Sequence, residues 1–228
     1  MSAQKSAKPG QDNFTRNLVI VMVTLVVLVL VGPLVYSQIN KPEISQKIPS
    51  AVSVDKGYAI SFNKDLTGVP VVDIYEDFQC PICQQFEGVQ MKYIDSLITD
   101  KKATVHFHLL SFIGQESIRA ANASACAADE GKFIPFHNNL YANQPANENS
   151  GEWTNDRLIA IGNVAGITST KFKKCVNNGE YLGWVAKSAV AGEKAGVTGT
   201  PTVFVNGKEI NRNTDYFSAD KFKAAVEG

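Results

Sequence analysis

Runs of hydrophobic residues divide the chain into one long apolar stretch near the N-terminus and several short ones farther along. Residues 18–36 are almost continuously apolar, with Thr24 as the main polar interruption, and no charged residue lies between Asn17 and Asn40. About 20 apolar residues are enough for a helix to cross the hydrocarbon layer of a membrane. We therefore predict a retained transmembrane anchor at residues 18–37. A cleavable signal peptide, which normally has a shorter apolar region, stays the alternative.

The later hydrophobic patterns alternate between strand and helix. The segment YAISF fits a first short strand, and VPVVDIYEDF is apolar and β-branched, as in a buried strand. From Cys80 the apolar residues recur at helical spacing, and ATVHFHLL has strand character again. This strand–helix–strand order predicts a βαβ unit with parallel strands.

Helical patterns then continue without a strand until TPTVFVNGKEI, where Asn206-Gly207 predicts a hairpin turn. A final helix is predicted after its cap, Ser218. The fold class is therefore α/β, with a helical insertion at about residues 114–195. This pattern divides the chain into a tail at 1–17, the anchor, a polar linker at 38–56 and a folded domain at 57–228.

Composition narrows the function. The chain has 228 residues, of which 44% are hydrophobic, so it can build a core. Basic and acidic residues number 22 each, which gives no electrostatic reason to expect nucleic acid as a partner. Four cysteines behind an apolar span favour an oxidising compartment outside the cytoplasm, with the protein in the cell membrane by a single pass and its tail in the cytoplasm.

The segment Cys80-Pro-Ile-Cys83 lies where a predicted strand gives way to a helix. Free backbone N–H groups and the dipole at a helix N-terminus stabilise an anion, so the pKa of the Cys80 thiol should fall. Pro81 suits the first helical turn, where its missing N–H costs nothing. Cys80 is thus the predicted nucleophile and Cys83, one turn along, the resolving cysteine.

A structural zinc site and a pair of inert buried thiols are the alternatives to a redox centre at Cys80 and Cys83. A structural zinc site needs four ligands, and only one such cysteine pair exists, although His106 and His108 could complete the set. Two inert buried thiols would leave the proline and the strand–helix junction unexplained. We expect no metal and no cofactor, and we interpret His137 as an ordinary helix histidine.

Three separated blocks resemble the DsbA-like branch of the thioredoxin superfamily. They are DFQCPICQQF, ASACAADEGKFIPFHNNLYANQ and GVTGTPTVFVNG, in that order. The resemblance implies a thioredoxin fold interrupted by a helical domain and an extracytoplasmic thiol–disulfide oxidoreductase. It also implies that Pro201 is the cis-proline of a loop facing the cysteine pair, where the backbone of Thr200 meets the substrate.

The sequence departs from the family pattern at two places. Thioredoxin-like proteins often carry a buried acid six positions before the nucleophile, but here that residue is Ile74. Asp73 is the candidate proton acceptor in its place. The strongest oxidases have histidine as the second middle residue, where this chain has Ile82, so we expect a less oxidising potential.

Cys126 and Cys175 both fall in the predicted insertion. An even number of cysteines outside the cytoplasm favours a structural disulfide between them, with two free buried cysteines as the alternative. The predicted function is an oxidase that introduces disulfides into exported, unfolded or reduced proteins. The alternatives are a disulfide isomerase or reductase and a tethered chaperone. The family implies reoxidation by a quinone-linked membrane partner of the DsbB or vitamin K epoxide reductase type.

Overall fold

The structure, a computed structural model, describes residues 13–39 and 45–228, which belong to two separate units. The first unit contains helix α1, Asn13–Ile39. Its window Arg16–Pro33 has a mean hydropathy of 2.2 and is 0% buried, so α1 is long and apolar enough to cross a membrane. Most of the predicted tail and part of the predicted linker, at 1–12 and 40–44, lie outside the described residues.

The second unit is built on one six-stranded sheet in the order β1-β2-β4-β3-β5-β6. The strands are β1 (Val52–Ser53), β2 (Ala59–Phe62), β3 (Val71–Glu76), β4 (Thr104–Leu109), β5 (Thr202–Val205) and β6 (Lys208–Glu209). The central pair β3–β4 is parallel, as the βαβ pattern predicts, and all other pairs are antiparallel. The hairpin β5–β6 turns at Asn206 and Gly207, whose φ angles of 51° and 78° suit these two residue types.

Seven α-helices pack with this sheet among residues 45–228. They are α2 (Pro81–Thr99), α3 (Gln115–Ala128), α4 (Phe133–Ala142), α5 (Asn155–Val164), α6 (Thr170–Asn178), α7 (Leu182–Lys194) and α8 (Ala219–Glu227). Helices α3–α7 form the insertion between β4 and β5. Three of the seven helices begin at a side chain that caps the N-terminus. The hydroxyl oxygen accepts a hydrogen bond from a backbone N–H of the first turn, and the capping residues of α5, α6 and α8 are Thr154, Ser169 and Ser218.

The central strand β3 sends its side chains to opposite faces of the sheet. Val72, Ile74 and Glu76 are fully buried, and Glu76 contacts His137 of α4. Because side chains alternate along a strand, Asp73 lies on the other face. This alternation determines which acids can approach the cysteines.

The predicted linker at 38–56 is shorter in the structure, because residues 45–56 pack against the folded domain. The N–H and hydroxyl of Ser50 both donate to Asp129, and Lys47 pairs with Glu180 at 2.6 Å. A Cβ on Gly183 would lie 2.3 Å from the carbonyl oxygen of Ser45, so glycine is needed at that contact. The polar composition concealed this segment, whose strand β1 is only two residues long.

Candidate active site

The two cysteines of the CPIC segment stand at the start of helix α2. Strand β3 ends at Glu76, and a turn closes with the N–H of Cys80 donating to the carbonyl of Asp77 at 2.9 Å. Cys80 is the N-cap, Pro81 is the first helical residue, and the N–H of Cys83 donates to Cys80 Sγ at 3.4 Å. Both cysteines are free thiols, and the structure therefore represents the reduced site.

Cys80 is the activated thiol. Its pKa is lowered from 9.0 to about 6, chiefly by a hydrogen bond from the Cys83 thiol. Burial opposes this shift, whereas Thr200 and the backbone N–H groups of Cys83 and Ile82 support it. With 7% of its surface exposed, Cys80 is the sulfur of the pair that another molecule can reach, and near neutral pH it is a thiolate.

Cys83 has the opposite character. It has 0% exposure, and burial raises the pKa of its thiol well above the usual value. The negative charges of Cys80 and Glu76 add to this increase, while the backbone N–H of Asp77 opposes it. Cys83 therefore holds a proton when the site is reduced, and it must release that proton whenever it attacks a disulfide.

The loop predicted to face the cysteines does so. The carbonyl oxygen of Thr200 lies 3.4 Å from Cys80 Sγ, and the Thr200–Pro201 peptide bond is cis. Pro201 is buried and Thr200 is partly exposed. A molecule bonded to Cys80 would therefore meet the backbone of this loop.

Asp73 is not brought to the cysteines, and the interpretation of this residue as proton acceptor is corrected. It lies on the opposite sheet face and binds His108, with Oδ1 2.9 Å from Nε2. His106 on the same face is 2.8 Å from the hydroxyl of Ser61. Both histidines thus form hydrogen bonds with residues of adjacent strands, on the sheet face opposite Glu76. Neither lies where it could share a metal ion with the two cysteines.

A buried cluster of Glu76, His137 and Glu87 lies on the face that Asp73 does not reach. His137 Nε2 is 2.7 Å from Glu76 Oε1, and all three residues have at most 1% exposure. One oxygen of each carboxylate, Glu76 Oε2 and Glu87 Oε1, has no hydrogen-bond partner. The charge of Glu76 acts on neighbouring groups and is one of the causes that raise the pKa of Cys83.

The hydrogen bonds of this cluster indicate where its protons reside. Asn138 donates its side-chain N–H to Asp95 at 2.9 Å, which turns its Oδ1 toward His137 Nδ1 at 3.0 Å. Oxygen atoms thus face both ring nitrogens of His137, an arrangement that suits an imidazolium donating from each of them. Burial opposes this charge, but Glu76 and Glu87 outweigh burial and raise the pKa of His137 to about 9. Burial raises the pKa of Glu87 to about 8.

The same three side chains form the one group of three potential metal ligands that lie within 4.8 Å of one another in the part of the chain that the structure describes. Because each nitrogen of His137 already has an oxygen at hydrogen-bond distance, the arrangement favours shared protons over a bound ion. The sequence carried a weak signal for Glu87, which lies on the buried stripe of α2 with Gln90, Ile94 and Leu97. His137 carried none.

Hydrogen bonds from the insertion hold the turn before Cys80. The side chain of Gln144 donates to the carbonyls of Phe78 and Cys80 at 2.6 and 3.0 Å. Asp77 accepts hydrogen bonds from the Ser117 hydroxyl and the backbone N–H of Ile113. The insertion therefore positions the active-site turn, which sequence patterns did not indicate.

Cys126 of α3 and Cys175 of α6 are joined by a disulfide, across a separation of 49 residues. Their exposures are 1% and 6%, so this bond is shielded from solvent. It links two helices of the insertion.

Comparisons with known proteins include several relatives named for disulfide chemistry. A family model described as Thioredoxin matches residues 68–227. The "Probable disulfide bond formation protein D" of Bacillus cereus is 28% identical over 201 residues, covering 86% of this chain and 90% of that protein. "Disulfide bond formation protein D" of Bacillus subtilis is 30% identical, covering 82% and 84%. The solved structure of "MdbA protein, a thiol-disulfide oxidoreductase from Actinomyces oris" has a TM-score of 0.67 and 28% identity, covering 79% and 92%.

Proposed function

Because this chain belongs to the DsbA-like branch of the thioredoxin family and is a protein thiol–disulfide oxidoreductase, we propose that it works as an oxidase that donates its disulfide to exported proteins. The predicted α/β thioredoxin-like fold and the enzyme class are confirmed by these relatives. The direction of the reaction rests on one observation, the position of Cys80 at the N-terminus of α2, where the N–H of Cys83 donates to its Sγ and the pKa of the thiol is lowered. A stabilised thiolate favours the reduced site, and this makes the disulfide form a better electron acceptor.

The reaction begins at Cys80, the accessible sulfur. A substrate thiolate attacks Cys80 Sγ of the Cys80–Cys83 disulfide, a mixed disulfide forms, and Cys83 leaves. A second substrate thiolate then attacks the substrate sulfur of the mixed disulfide, so that the substrate gains its disulfide and Cys80 leaves as a stable thiolate. Two electrons pass from the substrate to the enzyme.

The departing Cys83 needs a proton, because burial keeps its thiol neutral. The cluster of Glu76, His137 and Glu87 holds ionisable protons out of contact with bulk water, and the charge of Glu76 acts on Cys83. We assign the proton exchange of Cys83 to this cluster, in place of Asp73. When the site is reoxidised, Cys80 first forms a mixed disulfide with the oxidant. Cys83 then gives a proton back and attacks Cys80 Sγ, so that the Cys80–Cys83 disulfide forms and the oxidant leaves as a thiolate.

Substrate would bind along the loop at Thr200 and Pro201. Backbone groups beside an active sulfur can pair with an extended chain of almost any sequence. This suits an enzyme whose substrates are unfolded. The relatives named for disulfide bond formation support such substrates for this chain.

The proposed topology has a tail at 1–17, an anchor at 18–37 and the catalytic domain outside the cytoplasm. Helix α1 supports an anchor, and a buried disulfide between Cys126 and Cys175 suits an oxidising compartment. Protease added to intact spheroplasts should remove the domain, and full protection would contradict this topology. A quinone-linked membrane protein of the DsbB or vitamin K epoxide reductase type is the proposed reoxidant.

The reduction potential tests the direction. A Cys80 pKa of about 6 lies between those of DsbA, about 3.5, and thioredoxin, about 7. At about 30 mV per pKa unit for two electrons, these references bracket the potential at roughly −195 to −240 mV. Structural disulfides lie below about −300 mV, so even the lower limit makes donation favourable by about 60 mV.

The potential is measured on the full chain in detergent, by equilibration with glutathione buffers. A value at or below that of thioredoxin, about −270 mV, would overturn the oxidase and favour a reductase. A tethered chaperone is tested with Cys80→Ser. If suppression of aggregation survives in this variant and the wild type shows no thiol exchange, the chaperone alternative stands and the oxidase is rejected.

A further inference from the structure

One arginine is held beside the loop that faces Cys80. Arg212 follows the β5–β6 hairpin, its side chain is exposed, and its Nη2 donates to Thr202 Oγ1 at 2.9 Å. The charge of Arg212 also acts on the hydroxyl of Tyr216, which accepts the N–H of Val203. A Cβ on Gly199 would lie 3.7 Å from Nη1. The guanidinium is therefore fixed against residues 199–202.

The charge of this guanidinium is not neutralised within the domain. Among residues 45–228, no carboxylate oxygen lies within 4.0 Å of Arg212. A guanidinium has five N–H donors, and the hydrogen bond to Thr202 leaves others unused. A positive charge with free donors is thus presented at the rim of the active site.

The spacing places this charge within reach of a bound substrate. Thr202 is two residues beyond Thr200, whose carbonyl contacts Cys80 Sγ. An extended chain advances about 3.3 Å per residue, so a substrate residue two positions from its reacting cysteine lies about opposite Thr202. Ile82 and Phe217, with 40% and 44% exposure, add apolar surface beside Cys80 and Tyr216.

We propose that Arg212 is a specificity residue that selects substrate segments carrying aspartate or glutamate two residues from the reacting cysteine. The inference rests on the proposed function. A carboxylate matches the planar fork of a guanidinium and can accept two of its hydrogen bonds. Because the pair forms at a solvent-exposed rim, the preference should be modest, about 2- to 5-fold in rate.

The test uses the oxidised full-length chain in a neutral detergent and reduced two-cysteine peptides. The peptides differ only in carrying Glu, Gln or Lys two residues before or after one cysteine. Peptide disulfide is followed by acid quench and mass spectrometry at low ionic strength. Rates with oxidised glutathione correct for the reactivity of each peptide thiol.

We expect the Glu peptide to react about 2- to 5-fold faster than the Gln peptide in at least one of the two positions, and the Lys peptide to react more slowly. Arg212→Gln should abolish the difference and Arg212→Glu should reverse it. The pKa of Cys80 should stay at about 6 in Arg212→Gln, which separates substrate selection from tuning of the thiolate. Lys173→Gln, which removes one charge from helix α6, should retain the preference.

Different outcomes of this test would contradict the proposed function and the role of Arg212. If wild type oxidises no peptide through Cys80, the proposed function is wrong. If it oxidises the Gln peptide but the Glu-to-Gln ratio is the same in wild type and Arg212→Gln, the role of Arg212 is wrong and the oxidoreductase stands.

Discussion

Replacement of Cys83 separates the causes of the reactivity of Cys80. The largest one is the hydrogen bond from the Cys83 thiol, and smaller ones come from Thr200 and the backbone N–H groups of Cys83 and Ile82. Cys83→Ala removes the thiol donor and leaves the backbone donors in place. Cys83→Ser retains a donor at nearly the same position. The pair of variants therefore isolates one hydrogen bond.

The expected change in the Cys80 pKa is part of the full decrease that the site produces. The pKa of Cys80 falls from 9.0 to about 6. A decrease of this size corresponds to roughly 4 kcal/mol in favour of the thiolate. A hydrogen bond to a charged group contributes about 1.5 to 3 kcal/mol, so its loss in Cys83→Ala should raise the Cys80 pKa by about 1 to 2. In Cys83→Ser it should stay near 6, because a hydroxyl is at least as good a donor as a thiol.

The assay is the ultraviolet absorbance of the thiolate as a function of pH, with the alkylation rate of Cys80 as an independent measure. Cys126 and Cys175 do not interfere because they are bonded to each other. If Cys83→Ala keeps a midpoint near 6, the helix N-terminus alone stabilises the thiolate and the reasoning is refuted. An equal increase in Cys83→Ser would refute it as well.

Three further predictions concern the buried groups. Burial raises the pKa of Glu87 to about 8, so its protonated form favours folding and the free energy of unfolding should fall between pH 4.5 and 8. The pKa of His137 is raised to about 9, so its contribution to stability is present below pH 6.5 and is lost as the pH rises through about 9. Urea unfolding at pH 6 and pH 9 should therefore show a smaller loss in Glu87→Gln than in wild type, and an equal loss would contradict the assignment. Replacement of Cys126 and Cys175 together by alanine should lower the free energy of unfolding by about 4 kcal/mol, and a change below about 1 kcal/mol would contradict it. Mild reductant should open Cys80–Cys83 before Cys126–Cys175, because the second pair is buried; peptide mapping that finds Cys126 and Cys175 free first would oppose this.

Sequence patterns were most informative where the signal is local. The hydrophobic runs indicated β3, α2 and β4, and Asn206-Gly207 indicated the hairpin, because side-chain periodicity and turn chemistry depend on residues close in the chain. The start of helix α8 was predicted from its capping residue, Ser218, for the same reason. Strand β1 was not predicted, because two residues are too few to show the alternation of a strand.

The candidate proton acceptor shows the limit of such reasoning. Asp73 and Glu76 are three positions apart, and both lie near the position where the family often has an acid. Alternation along β3 puts them on opposite faces, but only the packing of α2 and α4 decides which face meets the cysteines. His137 joins Glu76 from 61 residues away, a distance that no local pattern covers.

By itself, then, the sequence determined the helical anchor candidate, the order of the elements, and the thiol chemistry of Cys80 and Cys83, because each depends on neighbouring residues or on one short motif. The tertiary structure decided what surrounds that motif. It brought the carbonyl of Thr200 to Cys80 and buried Glu87 and His137. It also placed Arg212 against Thr202, with no carboxylate oxygen within 4.0 Å among residues 45–228. The pKa of a thiol or carboxyl depends on burial and nearby charges, and both are properties of the folded chain.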